Sequence, residues 1–331
     1  MGVSDLAGLA ALPLLAGATP AQMEAIADAM APGRAAPGEV LGQEGEPGEV
    51  FWLLVEGQVR VTCGQPPLER HLADAGPGSI LGELALLRDQ PRTATVTATG
   101  ECCFWSGGRE ALKRLLEVEP VRTRLRLLAS RRLAQDLRPV ATTLKDGTAV
   151  LVRPLLAADR EALDRALKGL SRESMRHRFF TAGTPSPALI DYLVDIDYVD
   201  HFAWAVLDAA THDGMATGRY IRDPGGDSAE MAFTTVDRYQ GRGLGTFLLG
   251  ALGVAAVEAG IGSLFAYTMD DNRAMRAVFS KADARASYDE PGLVHVSVDP
   301  HRAAALLAPA VRLSLASAVH DIVTAASLAL A

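Results

Sequence analysis

The sequence predicts two domains: a small all-β jelly roll with flanking helices, followed by an α/β (α+β) mixed sheet. Three observations carry this. At 331 residues the chain is long for a single hydrophobic core. Across residues 37–81, short β-compatible runs are separated by glycine turns at Gly38, Gly45, Gly48, Gly57, Gly76 and Gly78, the punctuation of a roll or small barrel. Further on, the alternating run at 230–236 passes through DRYQGRGLGTFLL (237–249) into an apolar helical segment. Strand, glycine loop and helix in that order belong to a layered α/β sheet.

Composition excludes several functions. Apolar residues make up 49% of the chain and mean hydropathy is +0.13, so sizeable cores can form. A net charge of −8 argues against a dedicated nucleic-acid binder, which needs a basic face. Cys63, Cys102 and Cys103 show neither a disulfide framework nor C-x-x-C nor metal-ligand spacing; this fits a reducing, cytoplasmic setting and no metal. The N-terminal stretch 1–20 has acidic Asp5 and no basic leader, so it is a poor signal peptide. Arg312, His320 and Asp321 interrupt the Ala/Leu-rich tail 301–331. That tail reads as a helix packed on the body, with no membrane span.

In the first half, Thr19-Pro20 starts an N-capped helix with Pro at N1. After the β-rich region comes GELALLRDQPRTATV at 82–96. A helical turn opened by Gly82 offers backbone amides to a phosphate, and Arg92 a bidentate guanidinium. Glu83 can accept from a ribose 2′-hydroxyl. One acid, one arginine and a helix start inside a β-roll suit a cyclic nucleotide. Residues 109–138 are helical in spacing, broken by Pro120. The second part is basic through Arg122, Arg124, Arg126, Arg131, Arg132 and Arg138, ordinarily a solvated helix face.

Residues 139–147 read as a linker with an Asp146-Gly147 turn. Strands are expected at 149–155, 202–207, 215–221 and 230–236, with a helix over 159–170. Gly241, Gly243 and Gly245 allow close approach of backbone to a pyrophosphate, and the helix start attracts it. The loop is neither G-x-G-x-x-G nor a P-loop. Glu230 stands in apolar company, where burial would raise its carboxyl toward the range of a neutral-pH base. His177 and His201 are isolated and read as ordinary packing or surface histidines.

Q-x-x-G-x-G at Gln240–Gly245 resembles the acyl-CoA pyrophosphate loop of the GCN5-related N-acetyltransferases. The G-E-L-A…P-R-T-A cassette resembles that of the cyclic nucleotide-binding domains over about residues 15–135. The order of the two resembles the cAMP-regulated protein lysine acetyltransferases of mycobacteria and related actinobacteria. The resemblance implies a cyclic nucleotide-binding regulatory domain (1–138), the linker (139–147), an acetyltransferase domain (148–300) and a terminal helix (301–331).

In the first domain it implies Glu83 on the ribose, Arg92 and Thr93 on the cyclic phosphate, backbone contacts from Gly82, Leu84 and Ala85, and Arg132 stacking on the base. Thr93 leaves cGMP open beside the favoured cAMP. In the second it implies acetyl-CoA held by Gln240, Gly241, Arg242, Gly243, Leu244 and Gly245. The amides of Phe233 and Thr234 would serve the thioester and pantetheine, and Asn272 the pantetheine arm or a helix cap. Glu230 would be general base. Many relatives carry a tyrosine as general acid where this chain has Phe279, and Lys281-Ala282-Asp283-Ala284 departs from the usual ending.

The implied acceptor is a lysine of a protein, acetyl-CoA synthetase or another acyl-AMP-forming ligase, with propionyl-CoA as a second donor. Well-known relatives plug the resting site with a histidine. The stretch 164–169 offers only Arg165 or Lys168 instead. Two other functions stand beside this: an acetyltransferase for a small amine, and a non-catalytic cAMP-sensing module.

Overall fold

A computed structural model describes residues 6–64, 67–181 and 183–328; the N-terminal residues 1–5, on which the signal-peptide reading partly rests, lie outside them. The chain divides into two compact units, one made of Met1–Ala129 with Ala325–Ala331 and the other of Ser130–Thr324.

In the first unit, α1 (Leu6–Ala10) and α2 (Pro20–Asp28) precede the strands. Thr19 accepts from the backbone of Gln22 and closes a capping box, as Thr-Pro predicts. The strands are β1 (Met30–Ala35), β2 (Val40–Gly42), β3 (Phe51–Glu56), β4 (Val59–Cys63), β5 (Arg70–Ala75), β6 (Ile80–Leu81), β7 (Thr95–Ala98) and β8 (Cys102–Gly107), with α3 (Glu83–Arg88) between β6 and β7. They form two four-stranded sheets, β1-β8-β3-β6 and β2-β7-β4-β5. The core between them gathers Trp52, Leu54, Val59, Leu81, Val96 and Phe104. α4 (Arg109–Glu117) and α5 (Glu119–Asp136) follow, and Pro120 lies in the first turn of α5, where it needs no amide partner.

The second unit holds one eight-stranded sheet, β15-β16-β14-β13-β12-β11-β10-β9. Its elements are β9 (Val140–Thr143), β10 (Ala149–Pro154), α6 (Arg160–Lys168), α7 (Arg172–Phe179), α8 (Pro187–Val194), β11 (His201–Asp208), β12 (Gly214–Arg222), β13 (Ser228–Thr235), α9 (Leu244–Glu258), β14 (Ser263–Met269), α10 (Arg273–Ser280), β15 (Arg285–Glu290), β16 (Leu293–Val298), α11 (Pro300–Ala304) and α12 (Pro309–Leu328).

Three domain expectations are corrected. The stretch expected as a linker forms β9, hydrogen-bonded to β10 across a turn with Gly147 at φ +88°. Its VATT alternation gives it one face against the sheet. The unit boundary falls inside α5, after Ala129, rather than at residue 138. The tail forms two helices, α11 and α12, rather than one.

Trp204, Phe202 and Tyr220 fill the core on the α9 side, and the Trp204 indole donates to Ala251 O at 2.9 Å. A helix as apolar as α9 is buried nearly all round. α11 lies so close to it that a Cβ on Gly253 would meet Ala304 N at 2.5 Å and Pro300 O at 2.6 Å. Both obstacles are backbone and cannot rotate away. Gly253→Ala gains about 1 kcal/mol of helix propensity but forces the two helices apart at a cost of about 1–3 kcal/mol. A lower midpoint in urea unfolding is the expected outcome, and a higher one would mean that the helices separate freely.

Candidate functional sites

In the first unit, Gly82 takes the left-handed conformation (φ +78°) at the start of α3. A Cβ there would also meet Arg92 Nη1 at 2.6 Å, so glycine is required twice over. Arg92 is only 8% exposed, lies 4.4 Å from the Trp52 ring centroid and donates from Nη2 to Val50 O at 3.0 Å. Its buried Nη1 has no hydrogen-bond partner. Burial pushes the guanidinium down from its usual value, opposed by the charge of Glu46. A buried cation with an unused donor is costly unless an anion completes it.

Glu83, Leu84 and Ala85 are buried along α3, while Thr93 is exposed in the loop before β7. The backbone around Arg92 is pinned on both sides, its N–H donating to Glu46 O and its carbonyl accepting from Gly45 N. Arg132 lies on α5 beyond Ala129, so the first unit alone does not bring it to this cluster.

In the second unit a cavity of about 880 Å³ opens where the sheet splits. β13 and β14 pair in parallel only at Ser228–Ser263, Ala229–Leu264 and Glu230–Phe265. Beyond that level their facing edges lose each other. Glu230, Phe233, Thr234, Gln240, Gly241, Gly243, Leu244, Gly245 and Asn272 all line the cavity. Arg242 does not; its guanidinium lies 5.5 Å from the Tyr239 ring centroid. Gly241 (φ +78°) and Gly243 (φ +88°) adopt the left-handed turn that leads into α9.

Glu230 is exposed rather than buried, because the strands part beside it and open the rim to solvent. Asn272 is 6% exposed and accepts from Met275 N at 3.1 Å, capping α10. Phe279 is buried and meets Phe233 edge-on at a centroid separation of 6.1 Å.

Several lining residues escaped the sequence. Asp237 accepts from Ser171 N at 2.7 Å and Ser174 Oγ at 2.6 Å, while Gln240 Nε2 donates to Asp237 Oδ1 and Ser174 Oγ, each at 3.0 Å. Burial raises the Asp237 carboxyl, but these hydrogen bonds prevail and hold it below its usual value. Lys281 Nζ donates to Thr246 Oγ1 at 2.9 Å, which puts a cation beside the first turn of α9. Arg178 donates to Thr234 Oγ1 at 3.2 Å; burial pushes it down to about 10, against the opposing pull of Glu230.

His177 also lines the cavity, half-buried, with Nε2 3.1 Å from Asp271. His201 is buried against Arg219, and burial pushes it down to about 4, leaving it neutral.

The first unit is thus a jelly roll built around a buried anion-seeking arginine, and the second an α/β acyl-donor fold with a split sheet and a glycine-turn helix. Comparison with known proteins agrees. Residues 33–119 match the cyclic nucleotide-binding domain family and residues 149–285 the acetyltransferase (GNAT) domain family. Acetyltransferase Pat from Mycolicibacterium smegmatis is 37% identical over 300 residues, 88% of each chain. A mutant of the cAMP-binding acyltransferase from Mycobacterium smegmatis has a solved structure that is 33% identical, with a TM-score of 0.50, covering 97% of this chain and 98% of that one. A cAMP-dependent protein kinase regulatory subunit from Hypocrea atroviridis is 36% identical over 40% of this chain and 28% of its own length. The chain belongs to the family of acetyltransferases that join a cyclic nucleotide-binding domain to a GNAT domain.

If Arg92 holds the anion of a ligand, Arg92→Gln removes charge-assisted hydrogen bonds worth about 1.5–3 kcal/mol each. Cyclic nucleotide affinity, measured by titration calorimetry, should fall at least tenfold. Apo stability should hold or rise, because an unsatisfied buried cation is lost.

Proposed function

We propose that the protein is a cAMP-regulated protein lysine acetyltransferase that moves the acetyl group of acetyl-CoA to a lysine ε-amine, on acetyl-CoA synthetase or a related acyl-AMP-forming ligase in the cytoplasm. The observation that carries this reading is the pairing, on one chain, of a buried arginine with an unused donor and a split-sheet cavity with Glu230 at its rim. The similar acyltransferase from Mycobacterium smegmatis is described as cAMP-binding, which supports cAMP over cGMP here. No helix among the described residues is long and apolar enough to cross a membrane.

In this reading the donor lies along the gap between β13 and β14. Its pyrophosphate meets the amides of Gln240–Gly245 at the positive end of α9, with Lys281 beside it. The thioester carbonyl accepts from the backbone at Phe233 or Thr234, which the parting of the strands leaves without a β14 partner. Glu230 takes a proton from the acceptor ammonium, directly or through water. The neutral amine then attacks the thioester carbon, the C–N bond forms and the C–S bond breaks. Asn272 holds the head of α10 against the pantetheine arm.

The same reading assigns Gly82, Leu84 and Ala85 to backbone contacts with the nucleotide, Glu83 to its ribose, and Arg92 with Thr93 to its phosphate. Filling that site raises the acetylation rate through a coupling of about 1–3 kcal/mol.

The test is acetyl-CoA consumption by the full chain with acetyl-CoA synthetase or free amines as acceptor, with and without cAMP. Lysine acetylation of the ligase, stimulated about fivefold or more by cAMP, is the expected result. Turnover on free amines but not on the ligase would instead identify a small-amine enzyme, and no turnover with any acceptor a binding module. Glu230→Gln should lower kcat by about 10²–10⁴-fold while leaving cAMP affinity unchanged.

A further inference from the structure

Thr268 lies on β14 inside the cavity, 3% exposed, and its Oγ1 is buried without a hydrogen-bond partner. A hydroxyl desolvated in this way destabilises the fold unless something outside the chain completes it. Its position says what that is.

Parallel pairing of β13 with β14 ends at Glu230–Phe265, and three residues further along each strand stand Phe233 and Thr268. Thr268 therefore stands across the gap at the level of Phe233, where the thioester carbonyl is placed in the reading above. Side chains alternate along a strand. Leu264, Ala266 and Thr268 are the buried set of β14, on the face opposite to half-buried Phe265 and exposed Tyr267. Phe233 makes its edge-on contact with Phe279 of α10, and both line the cavity with Thr268. Phe279 has no proton to offer a leaving group. The hydroxyl absent from α10 is thus supplied from the strand.

We propose that Thr268 is a catalytic residue whose Oγ1–H donates a hydrogen bond to the acyl donor's sulfur as the C–S bond breaks. The step balances without proton transfer from threonine. The ammonium's first proton goes to Glu230; the neutral amine nitrogen then forms its bond to the carbonyl carbon and loses its second proton to solvent. The C–S electron pair leaves on sulfur as thiolate, which Thr268 stabilises by hydrogen bonding until solvent protonates it. Coenzyme A is a tolerable leaving group, so one hydrogen bond rather than a full acid suffices. This role rests on the acetyltransferase reading of the cavity.

The experiment compares Thr268→Val and Thr268→Ser with the wild-type full chain, in saturating cAMP, by steady-state kinetics and by thermal unfolding of the ligand-free protein. For Thr268→Val the expected kcat falls about tenfold, the loss of one hydrogen bond of ordinary strength, while KM for acetyl-CoA stays within about twofold. Its ligand-free Tm rises by about 2 °C or more, since an unsatisfied buried group is removed. Thr268→Ser keeps the hydroxyl and retains kcat within about threefold, at or below the wild-type Tm.

A merely structural threonine would lose Tm on change to valine, and that result overturns the proposal. So does an unchanged kcat in Thr268→Val, or a Thr268→Ser as slow as the valine variant. Failure of the underlying reading looks different, because the wild type itself would then consume no acetyl-CoA with any acceptor.

Discussion

The parting of β13 from β14 is the constraint on which the catalytic unit depends. Along the paired part, Ser228 to Glu230, the two strands satisfy each other's backbone. Past Glu230 the sheet keeps β12 on one side and β16 on the other, but the two inner edges turn away. Unpaired backbone groups at a sheet edge bind whatever extended polar chain fits between them. An extended acyl-pantetheine arm is such a chain, and the cavity there opens beside the start of α9. The cavity and its opening beside α9 are thus set by one departure from regular pairing.

A second device fixes the loop at the end of that gap. Asp237 receives the Ser171 amide and Ser174 hydroxyl of α7, while Gln240 reaches Ser174 and Asp237. The start of α7 and the glycine loop are one hydrogen-bonded body. Ser171 also caps α7 by accepting from Ser174 N, so a disturbance of the loop reaches the helix cap directly. Charge-assisted hydrogen bonds of this type outweigh the partial burial of Asp237. This explains why the glutamine of the loop belongs to its architecture whether or not its side chain touches ligand.

Most of the fold was legible because its signals are contiguous. The glycine turns, the GELA and PRTA segments and QGRGLG each form a local structure that the chain order alone specifies. What stayed illegible depends on distant partners. Ser174 and Gln240 meet across 66 residues, and Thr246 and Lys281 across 35; no periodicity announces either pair. β9 escapes a sequence reading because VATT is too short to outweigh the neighbouring Pro139 and Asp146-Gly147. The apolar sequence neighbours of Glu230 predict burial. The neighbours that set its exposure are those on β14, and they diverge just there. The boundary inside α5 was illegible for another reason: a continuous helix carries no composition change where its packing partners change.

The two sites solve anion binding in opposite ways, and the difference has an energetic consequence. α9 runs for 15 residues behind its glycine turn, so its terminus is a lasting partial charge that costs little when empty. α3 has only six residues, and the roll adds the full charge of Arg92, sunk beside Trp52 with Nη1 unused. An empty first site therefore holds strain that an anion relieves, and binding strengthens the roll by mass action in proportion to that relief. Only a ligand interaction that differs between two states of a protein can move it from one to the other. A buried, incompletely satisfied arginine provides such a difference, whereas a solvent-screened cation would bind the same phosphate with far less effect on its surroundings.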